Sequence, residues 1–221
     1  MNFKFLINEY QNVNPDNGKL IKFDDWDEIP QNIMMSDIRT MNTQRYRDFG
    51  IIDHIQLELS NNASTILGLW ILGCHYQKKY THYTLDLTHK NSDVKKIKIK
   101  IKKEPILNTT LDSFKWFPER IDAFEQPLYT NKKPHMKLTS DTEELYNNEN
   151  YQQRDVLEGF GNLNAACALA EFFLNFGHNL SQNTNYEYLK EIFSNDFLNT
   201  SSCEVRVHKI DAEKFNVFNG V

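Results

Sequence analysis

Glycine and proline are scarce, 8 and 6 among 221 residues, which excludes collagen-like, linker-like and low-complexity architectures. Cysteine is rarer still. Cys74, Cys167 and Cys203 each sit in an apolar run with no CxxC spacing, so a disulfide framework and a zinc ribbon are excluded. Buried reduced thiols are expected, and the cytoplasm is the compartment that suits them. The apolar stretch Asn164 to Phe176 is far too short to cross a bilayer, so no membrane association is expected. MNFKFLINEY loses its apolar character after Ile7 with no small-residue cleavage site following, so no signal peptide is expected either.

Catalytic signatures are missing too. There is no GxxxxGK[ST], GxSxG, HExxH or EF-hand loop. Gly159-Phe160-Gly161-Asn162-Leu163-Asn164 begins like a dinucleotide loop but lacks the third glycine, and no cofactor is expected. No internal repeat shows at periods of 20 to 50 residues.

What is present is ordinary globular usage, 40% hydrophobic and 25% charged, in a chain long enough to bury a core. The expectation is one α+β domain over 1–221, with a flexible polar segment at 140–154. Its sheet should be mostly antiparallel, of about six or seven strands. One long buried helix in the C-terminal half and one or two shorter helices should pack on it.

The long helix is the clearest element. Ala165, Ala166, Ala168 and Ala170 alternate with Leu169, Phe172, Phe173, Leu174 and Phe176, which leaves little polar surface. Asn162 or Asn164 suits its N-cap, and Gly177 suits a left-handed residue that closes it.

Elsewhere the pattern favours strands. Phe3–Ile7 and Lys19–Phe23 flank the turn string Asn14-Pro15-Asp16-Asn17-Gly18 and should pair as a hairpin. Ser36 to Phe49 reads as a short helix. Ile55, Leu57 and Leu59 alternate with polar residues, Asn61-Asn62 offers a turn, and Thr65 to Tyr76 is apolar on both faces, as in a central strand. Two further strands, His82 to Thr88 and Val94 to Lys102, complete an antiparallel meander. The prolines and aromatics of Pro105 to Pro134 suggest an excursion packed on the sheet. Asn185 to Asp196 has helical spacing, and Cys203, Val205 and Val207 alternate with Glu204, Arg206 and His208 as a last strand.

The charge layout carries the functional argument. Lys90 to Lys103 holds seven lysines against Asp93, +6 locally in a chain of −5. Lys96, Lys98, Lys100 and Lys102 share one strand face, and the ordinary explanation is an edge strand protected from aggregation. Asp141 to Glu204 runs the other way, with eleven carboxylates against Arg154 and Lys190. Asp24, Asp25, Asp27 and Glu28 surround Trp26, an aromatic among acids of the kind interfaces favour.

The reading that suits this layout is a cytoplasmic, non-catalytic binding protein, monomeric or homodimeric, whose acidic surface meets a basic protein. Small bacterial immunity proteins that neutralise a toxin or nuclease are one such class. Its contact residues would be Asp24, Asp25, Trp26, Asp27, Glu28, Glu143, Glu144, Glu149, Glu187 and Glu191.

The alternative is a metal-dependent hydrolase with a site near His54, His82 and Asp86, since imidazole and carboxylate suit a divalent ion. A third reading, nucleic-acid binding by the Lys96 to Lys102 face, is disfavoured. The isoelectric point is near 5.8, and the sequence places little aromatic surface among those lysines.

Overall fold

The computed structural model describes residues 10, 13–14, 16–22, 28–47, 50–77, 79–101, 113–116, 136–141, 156–178, 186–188, 203–211 and 213–214. At 42–47, 50–54, 113–116, 139–141, 186–188 and 204 the description is of backbone alone. These residues form eleven strands and two helices, in the order β1 (Lys19–Lys22), β2 (Asn32–Met35), β3 (Ile38–Arg47), β4 (Gly50–Leu59), α1 (Asn61–Gln77), β5 (His82–Leu87), β6 (Lys96–Ile101), β7 (Ser113–Trp116), β8 (Met136–Asp141), β9 (Val156–Gly161), α2 (Leu163–Gly177), β10 (Tyr186–Tyr188) and β11 (Glu204–Lys209).

The content is α and β as expected, but the sheets are mixed rather than mostly antiparallel. One has the order β10-β11-β4-β3 and the other β2-β5-β6-β9-β8, with β1 and β7 forming a separate pair. The parallel neighbours are β4 with β11, β6 with β9, and β2 with β5.

A repeat organises the two larger sheets. β3, β4 and α1 are a hairpin running into a helix, and β8, β9 and α2 are another. Each is followed by a second antiparallel pair, β5 with β6 and β10 with β11. Those trailing pairs are exchanged. β6 joins β9 of the other half, and β11 joins β4. Both sheets therefore contain the same antiparallel, parallel, antiparallel succession, to which β2 adds one edge strand. The helices start at Asn61 and Leu163, a spacing of 102 positions that lies outside any short-period search.

Their caps match at that spacing. Ser60 Oγ accepts from Ala63 N at 3.1 Å, and Asn162 Oδ1 accepts from Ala165 N at 3.0 Å, so each relieves an orphan amide of the first turn. The stretch expected as a central strand is therefore most of helix α1, and Asn61-Asn62 is its first turn.

A run apolar on every side fits either a strand covered twice or a helix buried all round, and three environments bury this one. Ala63, Leu67, Trp70, Ile71 and Cys74 face the sheets, while Leu69 and Leu72 join Tyr10 and Ile21 on the opposite side. Between those faces the helices cross antiparallel. Ser64 Oγ donates to Phe173 O at 2.7 Å, and a Cβ on Gly68 would stand 2.8 Å from Ala170 O. Gly68 and Ala170 are again 102 positions apart, so the crossing point lies on the axis of the repeat.

Gly177 does not close α2 in a left-handed conformation. The helix runs through it to His178, whose N donates to Asn175 O at 3.1 Å. Glycine is required there by close approach, because a Cβ would meet Thr65 Oγ1 at 2.5 Å and Asn61 O at 2.8 Å.

Other expectations are corrected by pairing. Ser36 to Phe49 holds β3, not a helix, because ten residues find partners on β4 and Ile38, Thr40 and Thr43 suit a pleated surface. The meander is interrupted by α1, and β5 and β6 belong to the other sheet from β4. Tyr186–Tyr188 is a strand against β11, not the start of a helix, and 189–196 lie outside the described residues. The Asn14 turn forms, with Gly18 at φ 60°, but among the described residues β1 pairs with β7, since Phe3–Ile7 lie outside them. The segment 142–154 lies outside them as well.

The sheets also touch at two equivalent seams. Thr40 O accepts from Asp93 N just before β6, and Leu138 O accepts from Cys203 N just before β11, both at 2.9 Å. Among the described residues no helix is long and apolar enough to cross a membrane.

Candidate functional site

The expected contact residues are distributed as follows. Glu28 is exposed, ahead of edge strand β2, and ion-pairs with Lys79, whose pKa that hydrogen bond raises. Glu187 is on edge strand β10 of the other sheet. Asp24, Asp25, Trp26, Asp27, Glu143, Glu144, Glu149 and Glu191 lie outside the described residues. Two carboxylates of the acidic half do not add to a free acidic surface. Glu171 is fully buried in α2, and Glu158 pairs with Lys100 at 2.8 Å.

The alternative site would draw its residues from both sheets. His54 is on β4 in the four-stranded sheet, whereas His82 and Asp86 are on β5 in the five-stranded one. His82 and Asp86 share a face but stand four residues apart, about 13 Å along the strand. Among the described residues no three His, Cys, Asp or Glu side chains are grouped to hold a metal.

The thiols are where the sequence puts them. Cys74 and Cys167 are buried and Cys203 is half-buried, all three unbridged. Burial pushes the Cys74 and Cys167 thiols well up, and the Glu171 charge adds to the effect at Cys167. A neutral thiol is a poor nucleophile, so neither suits covalent chemistry.

The structure assembles a polar row that period-two alternation in β4 and β11 hints at. Arg39, Glu58 and His208 are register partners across β3, β4 and β11. Arg39 Nε bonds the Glu58 carboxylate, Gln56 Nε2 donates to it at 2.6 Å, and His208 Nδ1 stands 3.7 Å away. Arg39 and Glu58 are buried, so this pair is matched charge within the sheet, while His208 keeps a third of its side chain in solvent.

The second charged surface is the outer face of β6. Its burial alternates, with Ile97, Ile99 and Ile101 inward and Lys96, Lys98 and Lys100 outward. It is not an edge. β5 and β9 flank it, so protection of an open edge does not account for its lysines. Register brings Phe160 of β9 between Lys100 and Lys137, an aromatic that the linear sequence leaves remote from all of them.

Between the sheets and helices lies a cavity of about 60 Å³ lined by apolar groups such as Leu57, Ile99, Leu138 and Phe173, with His75 as its ionisable neighbour. Gly159 lines it at the place that Leu57 holds in the first half of the repeat, again 102 positions earlier. No protein-family model, curated protein or solved structure matches the chain.

Proposed function

We propose that the chain is a non-catalytic binding protein that meets a basic protein through its acidic half, as bacterial immunity proteins meet the toxins they mask. The observation that carries this reading is the segregation of charge. Nine carboxylates of Asp141 to Glu204 remain once Glu158 and Glu171 are set aside, against two basic residues, in a chain whose one lysine-rich segment is a separate strand. A fixed negative potential accelerates encounter with a cationic surface and rejects anionic ones. Glu28, Glu143, Glu144, Glu149, Glu187 and Glu191, with the acids around Trp26, supply the contact.

The test is to search the neighbouring genes for one that ends in a basic domain and to co-express that domain with this chain, scored as rescue of growth, followed by association kinetics with the purified pair; the lack of such a gene counts against the reading. The wild-type chain should rescue growth, and Glu143→Lys, Glu144→Lys and Glu149→Lys together should slow association most at low salt. Failure to rescue, or kinetics indifferent to reversal of each acidic cluster, sinks the reading.

A further inference from the structure

Two rows of register partners occupy equivalent places in the repeat. On the four-stranded sheet the row is Arg39, Glu58, His208 and Tyr186. On the five-stranded sheet it is Lys137, Phe160, Lys100 and His82. In the first row the carboxylate between two basic residues is buried and paired with Arg39. In the second, the carboxylate's place is taken by Phe160, which is 36% exposed.

An aromatic residue thus stands in register between lysines of its two neighbouring strands, whose backbones run about 4.8 Å to either side. Lys98 and Lys96 repeat the cation at every second residue of β6, about 6.7 Å apart. Lys100 leans to Glu158, and register places Asp86 and Asp141 in the row of Lys96, so four lysines share the face with three acids. His82 is exposed at the end of the row.

We propose that this face binds single-stranded nucleic acid, with a base stacked on Phe160 and phosphates met by Lys98, Lys100 and Lys137. Stacking accepts any base because each has a π-face, and the lysines follow a backbone rather than a sequence. A duplex presents no unstacked base to Phe160. An acidic peptide satisfies the lysines and leaves the ring without a planar partner. The net charge of −5 opposes approach from a distance, but beyond about 8 Å that field is screened at physiological salt, and the local face governs contact.

The site uses none of the acidic residues assigned above, so either proposal can fail alone. The experiment is fluorescence anisotropy of the full chain with a labelled oligothymidine of about 12 nucleotides. Binding should appear at low salt, with log K falling against log salt at a slope near −2, about −0.7 for each of three phosphates neutralised as its counterions are released.

Phe160→Ala should weaken binding at least about fivefold with the slope kept, and Phe160→Trp should restore it. Lys98→Glu and Lys137→Glu should flatten the slope. Because these side chains point outward, each variant should retain the wild-type circular dichroism. Thymidine monophosphate, duplex DNA and polyglutamate should compete weakly. No binding at low salt, an affinity indifferent to Phe160→Ala, or polyglutamate binding as tightly as the strand overturns the proposal.

Discussion

Gly159→Ala should stabilise the protein, whereas Gly177→Ala should destabilise it. At Gly159 an added Cβ meets only Leu138 Cδ2 within 4 Å, at an ordinary 3.5 Å, and it enters the apolar cavity of about 60 Å³. Burying the methyl contributes about 0.8 kcal/mol. Restricting the unfolded chain adds roughly 0.4–1 kcal/mol, and no positive φ at Gly159 opposes it. The sum, about 1–2 kcal/mol, corresponds to a rise in Tm of roughly 2–8 °C for a chain of this length.

At Gly177 the same atom would stand 2.5, 2.8 and 2.9 Å from Thr65 and Asn61, two of the three contacts being backbone. Forcing the helices apart there should cost about 1–3 kcal/mol. Urea unfolding followed by circular dichroism reads both, with the m-value checked for constancy. A Gly159→Ala protein no more stable than wild type would refute the cavity and the inward course of β9. An indifferent Gly177→Ala would refute the close crossing of the helices.

Two further outcomes follow from the charges and thiols. Glu58→Leu should cost about 3–5 kcal/mol by stranding buried Arg39, and adding Arg39→Met should recover most of it in urea titrations; simple additivity would show the pair is not coupled. Burial raises the folded-state pKa of Cys74 and Cys167, so their contribution is complete below the ordinary value of 9.0 and is lost as pH rises above it. By pH 10 the two thiols together should cost about 3 kcal/mol, only partly offset by Lys209, whose pKa burial lowers. The alkaline limb of the stability profile should flatten in Cys74→Ala/Cys167→Ala, and an unchanged limb would contradict the burial.

The sequence resolves some elements and not others for identifiable reasons. α2 is legible because alanine spacing and the Asn162 cap agree, and β4, β6 and β11 because their alternation has a single reading. α1 is not, because Thr65 to Tyr76 is apolar in every direction and only the three environments around it distinguish a helix from a doubly covered strand. Ser60, three residues before Ala63, is the local signal that decides it. The row Lys137, Phe160, Lys100 and His82 has no linear signature, since its members come from four strands spread over nearly eighty residues. Parallel pairing of β6 with β9 and of β4 with β11 is likewise a long-range choice that local pattern does not encode.

The exchange of trailing hairpins means that neither half finishes its own sheet. Cut between β6 and β8, each piece would carry a hairpin, a helix and a trailing pair of strands, one of which, β6 or β11, has a parallel neighbour on the other piece. A half-length polypeptide of this plan is complete only as a pair, and covalent joining lets Glu58 and Phe160 diverge where two identical subunits would have to carry the same residue.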